Sequence, residues 1–211
     1  MERAFLYGVV NHIVLLLALV FLYSQLLRRW DSDTLAGKCA TGALFGGIAA
    51  VGMLFPVEFA PGILLDARTI LLGVPSLMAG APAAGVAVLI TALIQVGQDG
   101  AALTPKLAVI FSSALLGALF RGLRPQPFYR THPVALYVFG LVLHAVALVF
   151  LWLLLNPAQR RLVTELSRPV LVAYPVLTLL LGRLLAQVEQ RWQGVADLLK
   201  NHDFSSEIMN A

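Results

Sequence analysis

Apolar runs close to the length of a membrane-spanning helix recur along this chain, and they constrain its fold more than any other feature. About 20 apolar residues in a helix cross the hydrocarbon core of a bilayer. The runs lie at Phe5–Leu27, Gly37–Phe55, Ile70–Val96, Leu103–Phe120, Val134–Leu155 and Val170–Leu185. Of the 211 residues, 59% are hydrophobic and 12% are charged. The sequence therefore predicts an all-α fold, a polytopic membrane helix bundle.

The run Ile70–Val96 is longer than one span and is interrupted by Gly80-Ala81-Pro82. A straight helix here would be about 40 Å long and would place Arg68 and Gln95 on opposite sides of the membrane, which gives six spans. A break at the Gly and Pro residues would instead give two half-helices that dip in and return, which leaves five spans plus a re-entrant or broken helix. The distribution of Lys and Arg favours the second arrangement slightly.

The hairpin arrangement would collect five polar residues at one external rim of the bundle. These residues are Asp66, Arg68, Gln95, Asp99 and Lys106. An Arg at a partly desolvated rim presents a fork of donors that matches a carboxylate. We therefore predict that the five residues bind a small anionic molecule. The alternative is that Asp66 and Arg68 only cap a helix and anchor it at the interface, so that the anion met by Arg68 is Asp66 or Asp99.

From Leu181 onward the apolar residues recur in steps of four and three, which is the a/d spacing of a coiled coil. The positions of this pattern, called the seam below, are Leu181, Leu185, Val188, Trp192, Val195 and Leu199. Charged residues such as Glu189 and Arg191 fall outside it. We predict a membrane domain over residues 1–185, followed over residues 186–211 by a cytoplasmic signalling helix and the start of a linker. An amphipathic helix lying on the membrane is the other reading of the same pattern.

The remaining motifs exclude several classes of function. No Ser/His/Asp set, paired catalytic carboxylates or phosphate-binding Gly loop is present, so we expect no catalytic residues and no cofactor. The single Cys39 and the four dispersed His residues indicate no metal site. The net charge of +4, without a basic run interleaved with aromatics, indicates contact with membrane lipid and not with nucleic acid. Gly42-x-x-x-Gly46 indicates close helix packing.

The stretch from Pro61 to Gly122 resembles the membrane sensor of the five-transmembrane LytS/YhcK-type receptors. Three of its elements match that family: Asp66-Ala67-Arg68, the Gly80-Ala81-Pro82 break, and Gly117 through Arg121. The opening at Glu2–Gly8 and the stretch Gly46–Pro56 look similar too. The resemblance implies a bacterial inner-membrane sensor, usually a homodimer, whose helix feeds a histidine kinase, diguanylate cyclase or PAS-type output domain in the same chain.

Two departures from the family pattern bear on the ligand. Some kinase members of the family look like receptors for small carboxylates such as pyruvate. The second Arg of the family corresponds to Gln95 here, and the paired Gly to Asp99-Gly100. One cation is lost and one anion is gained, so the resemblance implies a ligand that also donates hydrogen bonds or carries a positive group, such as a zwitterion.

Three functions are open at this point. The first is a sensor module that binds a small anionic or zwitterionic molecule and signals through the C-terminal helix to an output domain. Because the polar end of the chain carries no such domain, we expect the sequence to be part of a longer protein, which could itself be a histidine kinase or a diguanylate cyclase. A naturally short chain would have the same pattern. The second is a solute-binding membrane subunit of a transporter, and the third is a membrane scaffold.

Overall fold

Residues 2–54, 57–60, 63–65, 67–98, 103–123 and 132–209 are described by the computed structural model. Within them seven helices follow one another: α1 (Glu2–Arg29), α2 (Leu35–Leu54), α3 (Arg68–Ala79), α4 (Ala81–Gly97), α5 (Leu103–Leu123), α6 (Pro133–Leu154) and α7 (Pro157–Met209). Two short antiparallel strands, β1 (Val57–Ala60) and β2 (Ile63–Leu65), lie between α2 and α3. The predicted all-α bundle is confirmed, with this strand pair as a small addition.

The long apolar run breaks at a single residue, Gly80. Its φ of 81° and ψ of −161° lie in a region that glycine occupies and L side chains rarely adopt. Its N–H donates to the Ser76 carbonyl, which ends α3, and its carbonyl accepts from the N–H of Ala84, which begins α4. Pro82 occupies the first turn of α4, where a missing N–H leaves no bond unmade. The chain thus passes from one helix to the next without a loop.

The two halves of this segment return to the same end of the bundle. The Arg68 side chain, at the start of α3, donates from Nη1 to Oε1 of Gln95, near the end of α4, at 2.5 Å. In one straight helix these residues, 27 positions apart, would lie about 40 Å apart. The predicted break is therefore a re-entrant hairpin. We call its open end, at Arg68 and Gln95, the mouth, and its turn at Gly80 the tip.

Small residues let the hairpin pack closely against its neighbours. On α2, a Cβ at Gly42 would meet the Ala83 carbonyl oxygen at 2.4 Å, and one at Gly46 would meet Ala87 Cα at 2.9 Å. The predicted Gly42/Gly46 packing motif therefore faces α4 of the same chain. On α5, a Cβ at Gly117 would meet the carbonyl oxygen of Gly73 at 2.3 Å. The backbones of α3 and α5 are consequently in near contact.

These contacts also fix the direction of the helices. Because Gly42 and Gly46 meet Ala83 and Ala87 in order, α2 runs parallel to α4, from the tip toward the mouth. The short turn between α1 and α2 places the end of α1 at the tip level.

The last two helices follow from the same reasoning. Leu77, near the tip, clusters with Leu136 and Phe139 of α6. Leu136 in turn lies against Gly182 of α7. Helix α6 therefore starts at the tip level, and α7 leaves the bundle at that end.

The surface of the bundle suits a lipid environment. Four segments are long and apolar enough to cross a membrane: α2, α5, α6 and residues 167–195 within α7. Helix α1, with 28 residues, is also long enough to cross. Large apolar side chains point outward at four-residue intervals on α4, α5 and α7, namely Leu89, Leu93, Phe111, Leu115, Leu119, Val172, Val176, Leu180 and Leu184. Such stripes are stable against acyl chains and would be costly in water.

We expect cysteine labelling to report the hairpin directly. With Cys39→Ser as background, single cysteines replace Thr34, Leu123, Gln98 or Asn156, and an impermeant maleimide is added to intact cells. Thr34 and Leu123 should share one side of the membrane, and Gln98 and Asn156 the other. A straight helix instead predicts that Thr34 shares one side of the membrane with Gln98 and Asn156, and that Leu123 lies on the other. That result would exclude the hairpin.

The close helix contacts give a second prediction, on stability. Gly117→Ala and Gly42→Ala force backbone atoms apart and should lower the free energy of unfolding by about 1–3 kcal/mol. Gly47→Ala is the matched control, because a Cβ there meets nothing within 4 Å. It should be neutral or stabilising, since Ala favours helix over Gly. Unfolding by SDS in mixed micelles measures all three, and equal stability of Gly42→Ala and Gly47→Ala would contradict the packing.

Candidate functional site

The candidate site is the mouth of the hairpin, where several chain segments meet. Helix α3 begins there at Arg68, α4 ends there at Gly97, and α5 begins there at Leu103. Strands β1 and β2 connect the end of α2 to the start of α3 at the same end. The mouth is thus built from residues far apart in sequence, as the hairpin hypothesis required.

The contact between Arg68 and Gln95 joins the two arms of the hairpin. Gln95 is 3% exposed, and Arg68 is half-buried. A guanidinium that donates to a buried amide oxygen makes a charge-assisted hydrogen bond, which contributes about 1.5–3 kcal/mol. This hydrogen bond uses one of the five N–H donors of the guanidinium and joins α3 to α4 at the mouth.

Lys106 lies on the same level as Arg68. Leu72, one turn after Arg68, clusters with Ile110, which is one turn after Lys106. Because Gly117 of α5 also packs on Gly73 and Leu77 in the same order, α3 and α5 run parallel. Arg68 and Lys106 each precede that cluster by one turn, so both cations lie at the mouth. The side chain of Lys106 is half-buried.

The helix ends add their own partial charges to the mouth. The starts of α3 and α5 direct backbone N–H groups toward it and favour an anion. Ala67, the N-cap of α3, offers no side-chain hydrogen bond to that first turn. The ends of α2 and α4 carry carbonyl groups to the same level, and Nε2 of Gln98 donates to the Met53 carbonyl at 2.8 Å. The mouth therefore presents both donors and acceptors.

The structure brings together three of the five residues predicted for the ligand site. Arg68 and Gln95 are in direct contact, and Lys106 lies on their level. Asp66 and Asp99 lie outside the described residues, and their place in the site stays a prediction. Gln98 was missed by the sequence reasoning, although a second amide three residues after Gln95 lies on a similar side of a helix and could have suggested it.

Part of the seam of α7 is buried in the core of the bundle. Leu181 and Leu185 are 2% and 0% exposed and belong to one apolar core with α1 and α3. Val188 packs on this core, and Nε1 of Trp192 donates to Oγ of Ser24 on α1 at 3.1 Å. Val195 is exposed, and the side chain of Leu199 lies outside the described residues.

Two further features of α7 differ from what the sequence pattern indicated. Glu189, placed by the pattern outside the seam, is 3% exposed. The predicted domain boundary at residues 185 and 186 falls within one continuous helix of 53 residues, so the backbone marks no division there.

The sequence reasoning named Arg121 in a family motif and predicted no contact for it. Its Nη1 donates to the carbonyls of Met78 and Leu77, the latter at 3.2 Å, at the tip end of α3. A cation at a helix C-terminus is favoured by the helix dipole and supplies donors that the last turn lacks. A Cβ at Gly80 would meet Nε of Arg121 at 3.1 Å, so the glycine also makes room for this side chain.

Five buried hydroxyl groups bond within their own helices. They donate to the carbonyl four residues earlier at Thr41, Ser76, Thr91, Ser113 and Thr178. Nδ1 of His144 lies 2.7 Å from the Gly140 carbonyl oxygen of its own helix, and the ring lies at a tilted angle to that of Tyr174 on α7. The hydroxyl bonds are local to each helix, so they serve the fold and indicate no ligand site.

The fold and the mouth together define a class: a polytopic helical membrane protein with a re-entrant hairpin that carries a cation at its open end. The sequence profile of the family described as 5TMR of 5TMR-LYT matches residues 20–188. The chain belongs to this family of five-transmembrane receptors, and it is a membrane sensor module. No significant match was found among curated proteins or among solved structures.

The mouth generates a prediction on stability. Gln95→Leu removes the acceptor of Arg68 and should lower the free energy of unfolding by about 1.5–3 kcal/mol. Gln98→Leu removes a bond between neutral groups and should lower it by about 1 kcal/mol. Gln187→Leu, at an exposed position of α7, serves as control. Thermal or SDS unfolding measures the series, and a Gln95→Leu protein as stable as the control would show that the contact contributes nothing.

Proposed function

We propose that the chain is the sensor of a bacterial signalling receptor in the inner membrane, with the mouth facing outward. It binds a small anionic or zwitterionic molecule there and passes the signal through α7 to an output domain in the same chain: a kinase, a diguanylate cyclase or a PAS domain. The observation that carries the proposal is the hydrogen bond between Arg68 and Gln95 at the mouth of the hairpin.

Binding at the mouth can alter the bundle because the contact between Arg68 and Gln95 joins the open ends of the two arms. A carboxylate that takes the place of the Gln95 oxygen on Arg68 would remove this contact, while Leu72 and Ala87 still pack together further along the arms. A ligand shifts the balance between two arrangements only when it binds them unequally. Here the inequality would arise because a ligand carboxylate and the Gln95 oxygen accept from the same Nη1 donor of Arg68.

The route from the mouth to α7 runs through α3. Ile70, Val74 and Met78 of α3 belong to the same buried core as Leu181 and Leu185 of α7. A shift of α3 therefore changes the packing of α7 directly, without a chain of intermediate contacts. This continuity supports a receptor whose output helix responds to the mouth.

The alternative function, a transporter subunit, finds less support. Discontinuous helices in transporters use the carbonyls at their broken ends to hold a cation. In this chain the guanidinium of Arg121 bonds the carbonyls at the end of α3. A side chain that already fills this position favours a fixed hairpin over an ion-coupled one.

Isothermal titration of the protein in nanodiscs tests the proposal, with pyruvate as the monocarboxylate probe and glycine as the zwitterionic probe. Arg68→Ala should weaken binding of the preferred probe at least about tenfold, the loss expected for a charge-assisted bond. Gln95→Arg should shift preference toward pyruvate, because it adds a second cation. Arg168→Ala, an exposed arginine of α7, should bind as the unmodified protein does.

The proposal fails if Arg68→Ala binds both probes as the unmodified protein does. It also fails if neither probe nor a wider set of small carboxylates and amino acids binds at all. Binding that Arg168→Ala weakens as much as Arg68→Ala would assign the effect to overall charge and not to the mouth.

A further inference from the structure

His144 on α6 carries a buried ring nitrogen that still needs a hydrogen-bond donor. The residue is 3% exposed, and Nε2 receives no hydrogen bond from the described part of the chain. Its other nitrogen, Nδ1, lies 2.7 Å from the Gly140 carbonyl oxygen. A carbonyl oxygen only accepts hydrogen bonds, so in the neutral ring Nδ1 carries the hydrogen and Nε2 is a bare acceptor. Leaving such an acceptor buried without a donor is costly.

A second acceptor arises on α7 because of Pro175. This residue lies inside the helix and is buried. Proline has no N–H, so the carbonyl of Leu171, four residues earlier, loses the donor that a continuous helix would supply. In membrane helices, carbonyls freed in this way are bonded by neighbouring helices or by ordered water.

Packing brings the two acceptors to one level of the contact between α6 and α7. A Cβ at Gly140 would meet the Cα of Pro175 at 2.9 Å, and the ring centroids of His144 and Tyr174 lie 5.0 Å apart. The two helices run antiparallel, so one turn toward the mouth from the first contact lies His144 on α6 and Leu171 on α7. A helix carbonyl points along the axis toward the fourth residue after it. The Leu171 carbonyl therefore points to the side on which Pro175 meets α6.

We propose that a water molecule binds at this level and donates one hydrogen bond to Nε2 of His144 and the other to the carbonyl of Leu171. Two acceptors cannot bond each other, and a water supplies two donors. A buried water is typically held by two to four polar partners, and this pair meets that requirement. The nearby hydroxyl of Thr178 already donates to the carbonyl of Tyr174 at 2.8 Å.

The water would give α7 a bend whose backbone groups stay bonded inside the membrane. A proline kinks a helix, and a hydroxyl that bonds the carbonyl four residues earlier, as Thr178 does, bends it further. A water can keep its bonds over a range of angles, whereas a direct contact holds one geometry. The site lies in the helix that carries the proposed signal, and it does not depend on the ligand at the mouth.

Solid-state ¹⁵N NMR of the full-length protein in lipid bilayers tests the site, with ¹⁵N in the histidine rings and no ligand added. His144→Asn identifies the signals of His144 by difference. We expect a protonated Nδ1, an unprotonated Nε2, and a correlation between Nε2 and water protons that is lost in D₂O. An Nε2 that carries the hydrogen, or that shows no correlation with water, would overturn the inference in the unmodified protein alone.

Three variants separate the proposed water from other donors. Pro175→Ala restores the helix donor to the Leu171 carbonyl and leaves the water one acceptor, so the correlation should weaken about threefold to tenfold. Pro169→Ala, at an exposed proline of the same helix, is the matched control and should leave it unchanged. Tyr174→Phe removes only a hydroxyl and should also leave it unchanged.

Each of the opposite results contradicts the shared water. A correlation that Pro175→Ala leaves intact would remove Leu171 from the site, and an equal loss in Pro169→Ala would assign the effect to the helix as a whole. Loss of the Nε2 signal shift in Tyr174→Phe would assign the donor to the tyrosine hydroxyl. The proposed ligand site is judged separately, by titration of Arg68→Ala.

Discussion

A helix that breaks inside a bilayer leaves carbonyl and N–H groups with no water to bond, and the structure depends on how this chain bonds them. Each unbonded group in hydrocarbon costs several kcal/mol. At the tip, Gly80 bonds backward to α3 through its N–H and forward to α4 through its carbonyl. Pro82 has no N–H to satisfy. Arg121 supplies donors to the last carbonyls of α3. The backbone can therefore reverse within the bundle.

The reversal is tolerated because protein surrounds it. Almost every side chain of α3 is buried, and this helix contacts α2, α5, α6 and α7 as well as α4. Gly117 lets the backbones of α5 and α3 approach where a methyl group would not fit, and Gly73 leaves room for the side chain of Leu143 on α6. A packed core of this kind shifts between discrete arrangements and does not deform gradually. Any displacement of α3 would therefore alter its packing against these helices.

The sequence predicted those parts of the fold that depend on local pattern. The break at Gly80 and Pro82 and the span lengths come from residue types whose effect on the backbone is local. Contacts such as Arg121 to Met78 could not be predicted, because they join residues 43 apart and arise only when α3 and α5 pack. Asp66 and Asp99 remain predictions, since both lie outside the described residues.

The burial of Glu189 illustrates a different limit of the pattern. Heptad spacing identifies the most apolar face of a helix, and it predicts solvent or a partner on the others. In the structure Glu189 is 3% exposed although it lies outside the pattern. A single-helix pattern cannot report which of the other faces a neighbouring element covers, and only the packed bundle shows this.

Basic residues lie at both ends of the bundle, and Arg160 at the mouth end is fixed by a helix terminus. Arg160 donates to the carbonyls of Leu155 and Leu153 at the end of α6 and lies 5.1 Å from the Trp152 ring centroid. Its position follows from that helix terminus, so it carries little information about orientation. At the tip end several basic residues lie on the surface of the bundle, namely Arg28, Arg29, Arg183 and Arg191. Charges placed this way favour the tip end as the cytoplasmic one, which agrees with the end from which α7 leaves.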